Sequence, residues 1–224
     1  LVVAVHAVIT AGGAFVLLDP ESPAELQQRT IALAAPVLLI ATPGTPHPTG
    51  VTVLSTDTGD VPPADLPGPG ADNPAYLVVD VAASSAVVIG HRAAQANSVW
   101  RQRLCGIGVD DSVLWHAPLT GQAAVGEMLL ALQTGATLVV PTSPVLAKSI
   151  AETRVTAACF DPTELAELAA LPDAEERLDS LRVVLGCGSL SARTAAALRF
   201  VSGATLWHVY GRPETAGEVA AHEV

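Results

Sequence analysis

The sequence predicts an α/β fold. Short continuous apolar runs alternate with segments whose apolar positions recur at helical spacing, and that alternation is what βα units produce. The apolar runs show no polar alternation, as expected of parallel strands covered on both faces. Half of the 224 residues are hydrophobic and only 15% are charged, enough to bury a sizeable core and too apolar for disorder over most of the chain.

In order, Leu1 to Ala11 has helical character around an apolar stripe, and Gly12-Gly13 stops it. Ala14 to Leu18 is a short buried strand ending at Asp19-Pro20. Ser22-Pro23 starts a helix over Ala24 to Ala34, with Glu25 in its first turn, where a carboxylate suits the positive end of the helix dipole. Pro36 follows, then another apolar strand, Val37 to Ala41. Residues 42–74 hold eight of the 17 prolines and several glycines, with Val51 to Leu54 as a single short strand in a surface connector. From Tyr76 the alternation resumes. Strands are expected at Tyr76–Val79, Ala86–Ile89, Ser112–His116, Thr137–Val140, Ala157–Phe160, Leu181–Leu185 and Thr205–Val209. Helices are expected at His91–Cys105, Ala123–Gln133, Val145–Glu152, Pro162–Ala170 and Ala192–Val201, with an unassigned final segment. The chain thus divides into a first α/β part (1–41), the connector (42–74) and a second α/β part (75–224).

Charge narrows the function. Twenty-two acidic residues against 11 basic ones give −11, which disfavours phosphate backbones and anionic membranes. Nucleic acid and membrane are therefore not expected partners. Lys148 is the one lysine, so chemistry needing a lysine elsewhere is excluded. Cys105, Cys159 and Cys187 are too few and too widely spaced for a disulfide framework or zinc site, which fits a reducing, cytoplasmic setting. The apolar start, Leu1 to Leu18, lacks a basic flank and a cleavage pattern and is split by glycines, so it is read as globular structure. A chain opening on Leu-Val-Val is what an excised fragment would show.

Several strings, in order, resemble one family. Ala11-Gly12-Gly13-Ala14-Phe15-Val16-Leu17-Leu18-Asp19-Pro20, Gly135-Ala136-Thr137-Leu138-Val139, Val183 to Leu190, and His208-Val209-Tyr210-Gly211-Arg212-Pro213-Glu214-Thr215 look like the "AGGAYVPLDP", "GATLV", "VVxGGEAL" and "NxYGPTE" segments of nonribosomal peptide synthetase adenylation domains. The resemblance implies stacked, mostly parallel sheets with helices between and outside. It also implies part of the large subdomain of an acyl-adenylate-forming enzyme, lacking that subdomain's N-terminal part and the C-terminal subdomain.

Three departures bear on activity. The family's phosphate loop, "TSGSTGxPKG", uses glycines so that backbone N–H groups can close around phosphates, with hydroxyls and a lysine adding to the grip. Here a shorter run, Asp80-Val81-Ala82-Ala83-Ser84-Ser85-Ala86, stands in its place, without glycine or lysine and with an added carboxylate. Ser84 and Ser85 remain as donors, but the run reads as a tight connection. In "FASLSFDxSVWE" the aspartate holds the amino acid's ammonium group; Gln122 replaces it and offers no counter-charge, while Gly121 and Gly126 replace aromatic walls. In "NxYGPTE" the tyrosine stacks on adenine and the glutamate helps hold magnesium. Tyr210, Gly211 and Glu214 are kept, but His208, Arg212 and Pro213 depart from the pattern, and Pro213 removes an N–H.

Ser84, Ser85, Gly186, Gly188, Tyr210, Gly211 and Glu214 are accordingly a nucleotide-binding remnant, and Gln122, Cys187 and His208 a substrate-pocket remnant. No residue is assigned to catalysis. Cys187 lacks a nucleophile-elbow spacing and reads as a small core residue. His116 and His208 have no third ligand, so no metal is expected. The expected role is a non-catalytic structural or docking element within a synthetase, with neighbouring synthetase domains and a carrier protein as partners and no cofactor. The alternative is a divergent ligase that adenylates a carboxylic acid, with ATP and magnesium.

Overall fold

The computed structural model describes residues 1–57, 59 and 66–224, so residues 58 and 60–65 of the proline-rich connector lie outside the described residues. The chain divides into two compact units, Leu1–Ala94 with Leu119–Gly121, and Gln95–Pro118 with Gln122–Val224.

In the first unit, helix α1 (Val2–Thr10) ends where Gly12 adopts φ +77°, a left-handed conformation that glycine takes without strain. Strand β1 (Phe15–Val16) follows. The turn into helix α2 (Ala24–Ala34) is held by Asp19, whose carboxylate accepts from the Glu21 N–H at 3.0 Å and the Ser22 hydroxyl at 3.1 Å. Gln27, buried on α2, donates to the carbonyls of Pro20 and Ser22. Strands β2 (Leu39–Ala41) and β3 (Val53–Ser55) pair in parallel, which places the expected connector strand. The run Val37 to Ala41 differs from expectation. It forms only a three-residue strand in a two-stranded sheet, and Val37, ahead of that strand, is 91% exposed. Strands β4 (Pro74–Asp80) and β5 (Ser85–Gly90) form an antiparallel hairpin, and β1 adds to β4 in parallel. The ring of Tyr76 stacks on Phe15 at 5.5 Å, and α2 packs on β4 and β5.

Helix α3 (His91–Cys105) begins directly after β5, and its part from Gln95 onward belongs to the second unit. That unit continues with β6 (Ser112–Leu114), α4 (Gln122–Thr134), β7 (Thr137–Val139), α5 (Leu146–Thr153) and β8 (Ala157–Phe160). It closes with α6 (Pro162–Ala169), α7 (Ala174–Arg177), β9 (Val183–Gly186), α8 (Ala192–Val201), β10 (Thr205–Arg212), a 3-10 turn (Pro213–Thr215) and β11 (Gly217–Glu223). The unassigned final segment is thus strand β11, antiparallel to β10. The short β7, β8 and β9 carry apolar runs, whereas β11 is mostly exposed, which is why its sequence carried no apolar signal.

The sheet order is β11-β10-β9-β8-β6-β7, all pairs parallel except β10–β11. Alternate residues face opposite layers. Ala158, Phe160 and Val184 join a core with Ile150 from α5, Leu165 and Leu168 from α6, Leu178 just past α7 and Leu198 from α8. Ala157, Cys159, Val183 and Leu185 join the other, with Cys105, Leu130 and Ala131 from α3 and α4. The sheet of this unit is therefore parallel over most of its width and covered on both faces, as the unbroken apolar strands predicted. Among the described residues no helix is long and apolar enough to cross a membrane.

Candidate functional site

The chain order of the six-stranded sheet reverses at β6. From it the chain passes through α4 to β7 on one side, and β8 lies on the other. A crevice at the carboxyl ends of the strands at such a reversal is where open α/β sheets gather functional side chains. His116 lies just past β6, Asp161 and α6 just past β8, and Gly186-Cys187-Gly188 at the end of β9. His208 lies on β10.

His116 joins two carboxylates. Its Nε2 stands 3.3 Å from Glu164 Oε1 on α6, and its Nδ1 3.8 Å from Glu127 Oε1 on α4. Its ring lies tilted against Phe160 at 5.2 Å. Glu127 is 1% exposed, and its Oε2 accepts from the backbone N–H groups of His116 and Ala117, both at 3.3 Å. Burial pushes the Glu127 carboxyl up to about 7, against the pull of His116 and Arg101. Burial alone would lower His116, but its hydrogen bond to the Glu164 carboxylate and the charge of Glu127 outweigh it and raise the imidazole. The balance of burial and charge thus favours the protonated form of both groups.

Behind them lies Arg101, a fully buried guanidinium on α3. Its Nε is 3.7 Å from Glu218 Oε2 on β11, and Glu218 and Glu127 keep it charged against the cost of burial. One terminal nitrogen of Arg101 sits where a Cβ on Gly126 would be, so any larger residue at 126 would have to displace the guanidinium. Arg101 thus occupies the room that the resemblance assigns to an aromatic wall. A cavity of about 10 Å³ remains beside Arg101, Glu127, Cys105 and Cys159, space for about one water.

The sequence-predicted remnant is only partly gathered. His208 Nε2 lies 2.8 Å from the carbonyl of Gly188, so the β9 turn and β10 meet. Gly188 has φ +75°, and a Cβ on Gly186 would press on Leu165 and Leu190. Cys187 Sγ donates to the Phe160 carbonyl at 3.3 Å. Gln122 opens α4, and its Nε2 donates to the Ala216 carbonyl at 3.2 Å. Tyr210 is 60% exposed on β10, and Glu214 is exposed on the 3-10 turn. Gly211 stands at a β-bulge where a Cβ would collide with the backbone of Gly217 and Glu218, so this motif glycine has a packing role of its own. The one lysine, Lys148, is exposed on α5 and pairs with Glu152 at 3.7 Å.

Ser84 and Ser85 belong to the first unit, at the β4–β5 hairpin. Asp80 pairs with Ser85 across the hairpin, and the Asp80 carboxylate accepts from the Ala83 N–H at 2.9 Å. The Ser84 N–H turns back to the Val81 carbonyl at 3.3 Å with Ser84 at φ +50°. Arg29 donates to the Val81 carbonyl at 2.8 Å and reaches the Ser84 hydroxyl at 3.5 Å. A phosphate cradle needs several N–H groups free and convergent. Here the N–H groups of Ala83 and Ser84 are spent inside the turn, the first of them on the Asp80 carboxylate, so these residues do not fit a nucleotide triphosphate. Among the described residues no group of three or more His, Cys, Asp or Glu is placed to hold a metal ion.

The cluster of Arg101, His116, Glu127 and Glu164 was not singled out from sequence. The signals were present but weak: charged residues inside apolar helix stretches, and a histidine just past a strand.

The sequence profile of the AMP-binding enzyme matches residues 85–223. The chain is similar to nonribosomal peptide synthetase ivoA of Emericella nidulans, at 29% identity over 95% of this chain and 13% of that protein. It is similar also to phosphinothricin tripeptide synthetase PhsB of Streptomyces viridochromogenes, at 33% over 98% of this chain and 20% of that protein. It therefore spans a fifth or less of the length of these curated relatives. Among solved structures it is similar to the Klebsiella oxytoca NpsA N-terminal subdomain in complex with anthranilyl-AMSN, with a TM-score of 0.86 and 22% identity over 99% of this chain and 58% of that one. The artificially fused adenylation-PCP di-domain NpsA-ThdA, from the same organism, also has a TM-score of 0.86, with 22% identity over 99% of this chain and 47% of that one. At that identity the structural likeness concerns the fold, which is the adenylation-domain α/β architecture that the ordered strings implied. With the profile covering more than half of its length, the chain belongs to the AMP-binding enzyme family, as an adenylation-domain-like member resembling those of nonribosomal peptide synthetases.

Proposed function

We propose that this chain is an adenylation-like element of a nonribosomal peptide synthetase that forms no acyl-adenylate and serves a structural or docking role. The observation that carries this reading is the closed β4–β5 turn, in which the Ala83 N–H goes to the Asp80 carboxylate and the Ser84 N–H to the Val81 carbonyl. The seating of Arg101 against Gly126 supports it, since a buried guanidinium stands where the resemblance implies an aromatic wall of a substrate pocket. Its partners on this reading are the neighbouring synthetase domains and a carrier protein, consistent with the multidomain relatives and the fused adenylation-PCP neighbour. No cofactor is required. ATP–pyrophosphate exchange with the purified chain and panels of amino, keto and hydroxy acids is expected to stay at background. Exchange above background with any of these acids would overturn the reading.

A second reading, a divergent ligase activating a carboxylic acid with ATP and magnesium, is favoured by the exposed ring of Tyr210 beside Gly211 and Glu214. Calorimetry with ATP and magnesium separates the two. Saturable heat that disappears on Tyr210→Ala supports the ligase, and no heat supports the non-catalytic element.

A further inference from the structure

Cys159 is the third residue of β8, and Cys187 directly follows β9. In the parallel register Cys159 sits opposite Leu185, so Cys187, two residues further on, falls on the same face of the sheet. Their Sγ atoms are 3.3 Å apart. A disulfide needs about 2.05 Å, so the sulfurs must approach by only about 1.2 Å. The Cys187 N–H donates to the Phe160 carbonyl at 3.0 Å, so the approach falls to the two side chains and to the turn past Cys187, where Gly188 stands at φ +75°. The two thiols also differ in access: Cys159 is buried and Cys187 half-buried. From this geometry we propose that Cys159 and Cys187 form an oxidisable dithiol, in which hydrogen peroxide oxidises Cys187 and Cys159 resolves it to an intramolecular disulfide joining the ends of β8 and β9.

In the first step the Cys187 thiolate attacks one peroxide oxygen. An S–O bond forms, the O–O bond breaks and hydroxide leaves, taking up the proton the thiol gave up to depart as water, which gives a sulfenic acid. The Cys159 sulfur then attacks the sulfenic sulfur; the S–S bond forms, the S–O bond breaks and a second water leaves. Two thiols are oxidised by two electrons and one peroxide is reduced to two waters. The hydrogen bond with Cys159 holds the Cys187 thiol below its ordinary range despite burial, while the same contact and burial push Cys159 up, which suits Cys187 as the attacking group. Cys105 is pushed up to about 11 by burial, as expected of an inert thiol.

The test treats the full chain with hydrogen peroxide, quenches it, and counts free thiols by alkylation under denaturing conditions with peptide mapping. The three free thiols of the reduced chain should fall to one, with the 159 and 187 peptides joined and dithiothreitol restoring both. Cys159→Ser should leave a dimedone-reactive sulfenic acid at Cys187, and Cys105→Ser should change nothing. Sulfinic acid at Cys187 without cross-linking, a disulfide between two chains, or a bridge to Cys105 would each overturn the proposal. Mapping of the unsubstituted chain decides it even if a variant fails to fold.

Discussion

Glu127 shows how burial sets the behaviour of one residue. With two N–H groups on one oxygen and the charges of His116 and Arg101 pulling it down, its carboxyl still rises, through burial, from an ordinary 4.5 to about 7. An acid whose pKa is raised in the folded state keeps its proton longer than the unfolded chain does, so stability falls as pH climbs from 4.5 to about 7. His116 acts in the same direction, because its raised pKa contributes stability that is complete below 6.5 and is lost as pH rises through its higher folded value. On the acid side, burial opposes the ionisation of Asp111, but the Gly108 N–H, the Thr156 hydroxyl and Arg182 outweigh it and hold the carboxyl low. That contribution is lost only as pH falls through the lowered value. Melting temperature should therefore drop from about pH 5 to pH 8, as burial of these groups requires. Glu127→Gln keeps an acceptor for the two N–H groups and should flatten most of that slope, on the order of 3 kcal/mol at the alkaline end. A slope unchanged by the substitution, measured by thermal melts across the pH range, would contradict this account.

At the scale of elements, α6 is specified by its own first turn. Asp161 accepts from the N–H groups of Thr163 and Glu164 at 2.7 and 2.9 Å, Glu164 returns the bond to the Asp161 N–H at 2.8 Å, and Pro162 occupies the first helical position. Asp161→Ala should cost about 1 kcal/mol in urea unfolding, with the slope of the transition unchanged. Glu164 also faces His116, so the same cap helps to hold the imidazole, and the substitution should lower the His116 pKa followed by NMR titration. The β4–β5 hairpin is legible for a comparable reason. A run of small residues between two apolar strands leaves room only for a tight turn, and the Asp80 carboxylate supplies its local bond. Strand β11 was not legible. Its side chains are largely exposed, and its position depends on pairing with β10 through Gly211 and Gly217, not on a pattern of its own.

For the whole molecule, the net charge of −11 predicts that the chain passes through immobilised DNA or heparin without retention at physiological salt. Retention that declines with added salt would show a basic surface that the sum conceals. The alternation of apolar strands and amphipathic helices, the ordered family strings, the shortened run at Asp80–Ala86 and the replacement at Gln122 could all be read along the chain, because each is local or depends only on order. By itself, then, the sequence determined the α/β class, the family and the places where the motifs depart from it. Only the tertiary structure decided that Arg101 fills the space beside Gly126, that His116 lies between Glu127 and Glu164, and that Cys159 meets Cys187. Those contacts join residues up to dozens of positions apart, and they follow from which parallel strands become neighbours. That choice is made by burying both faces of the sheet at once, a requirement that the periodicity of any single segment does not contain.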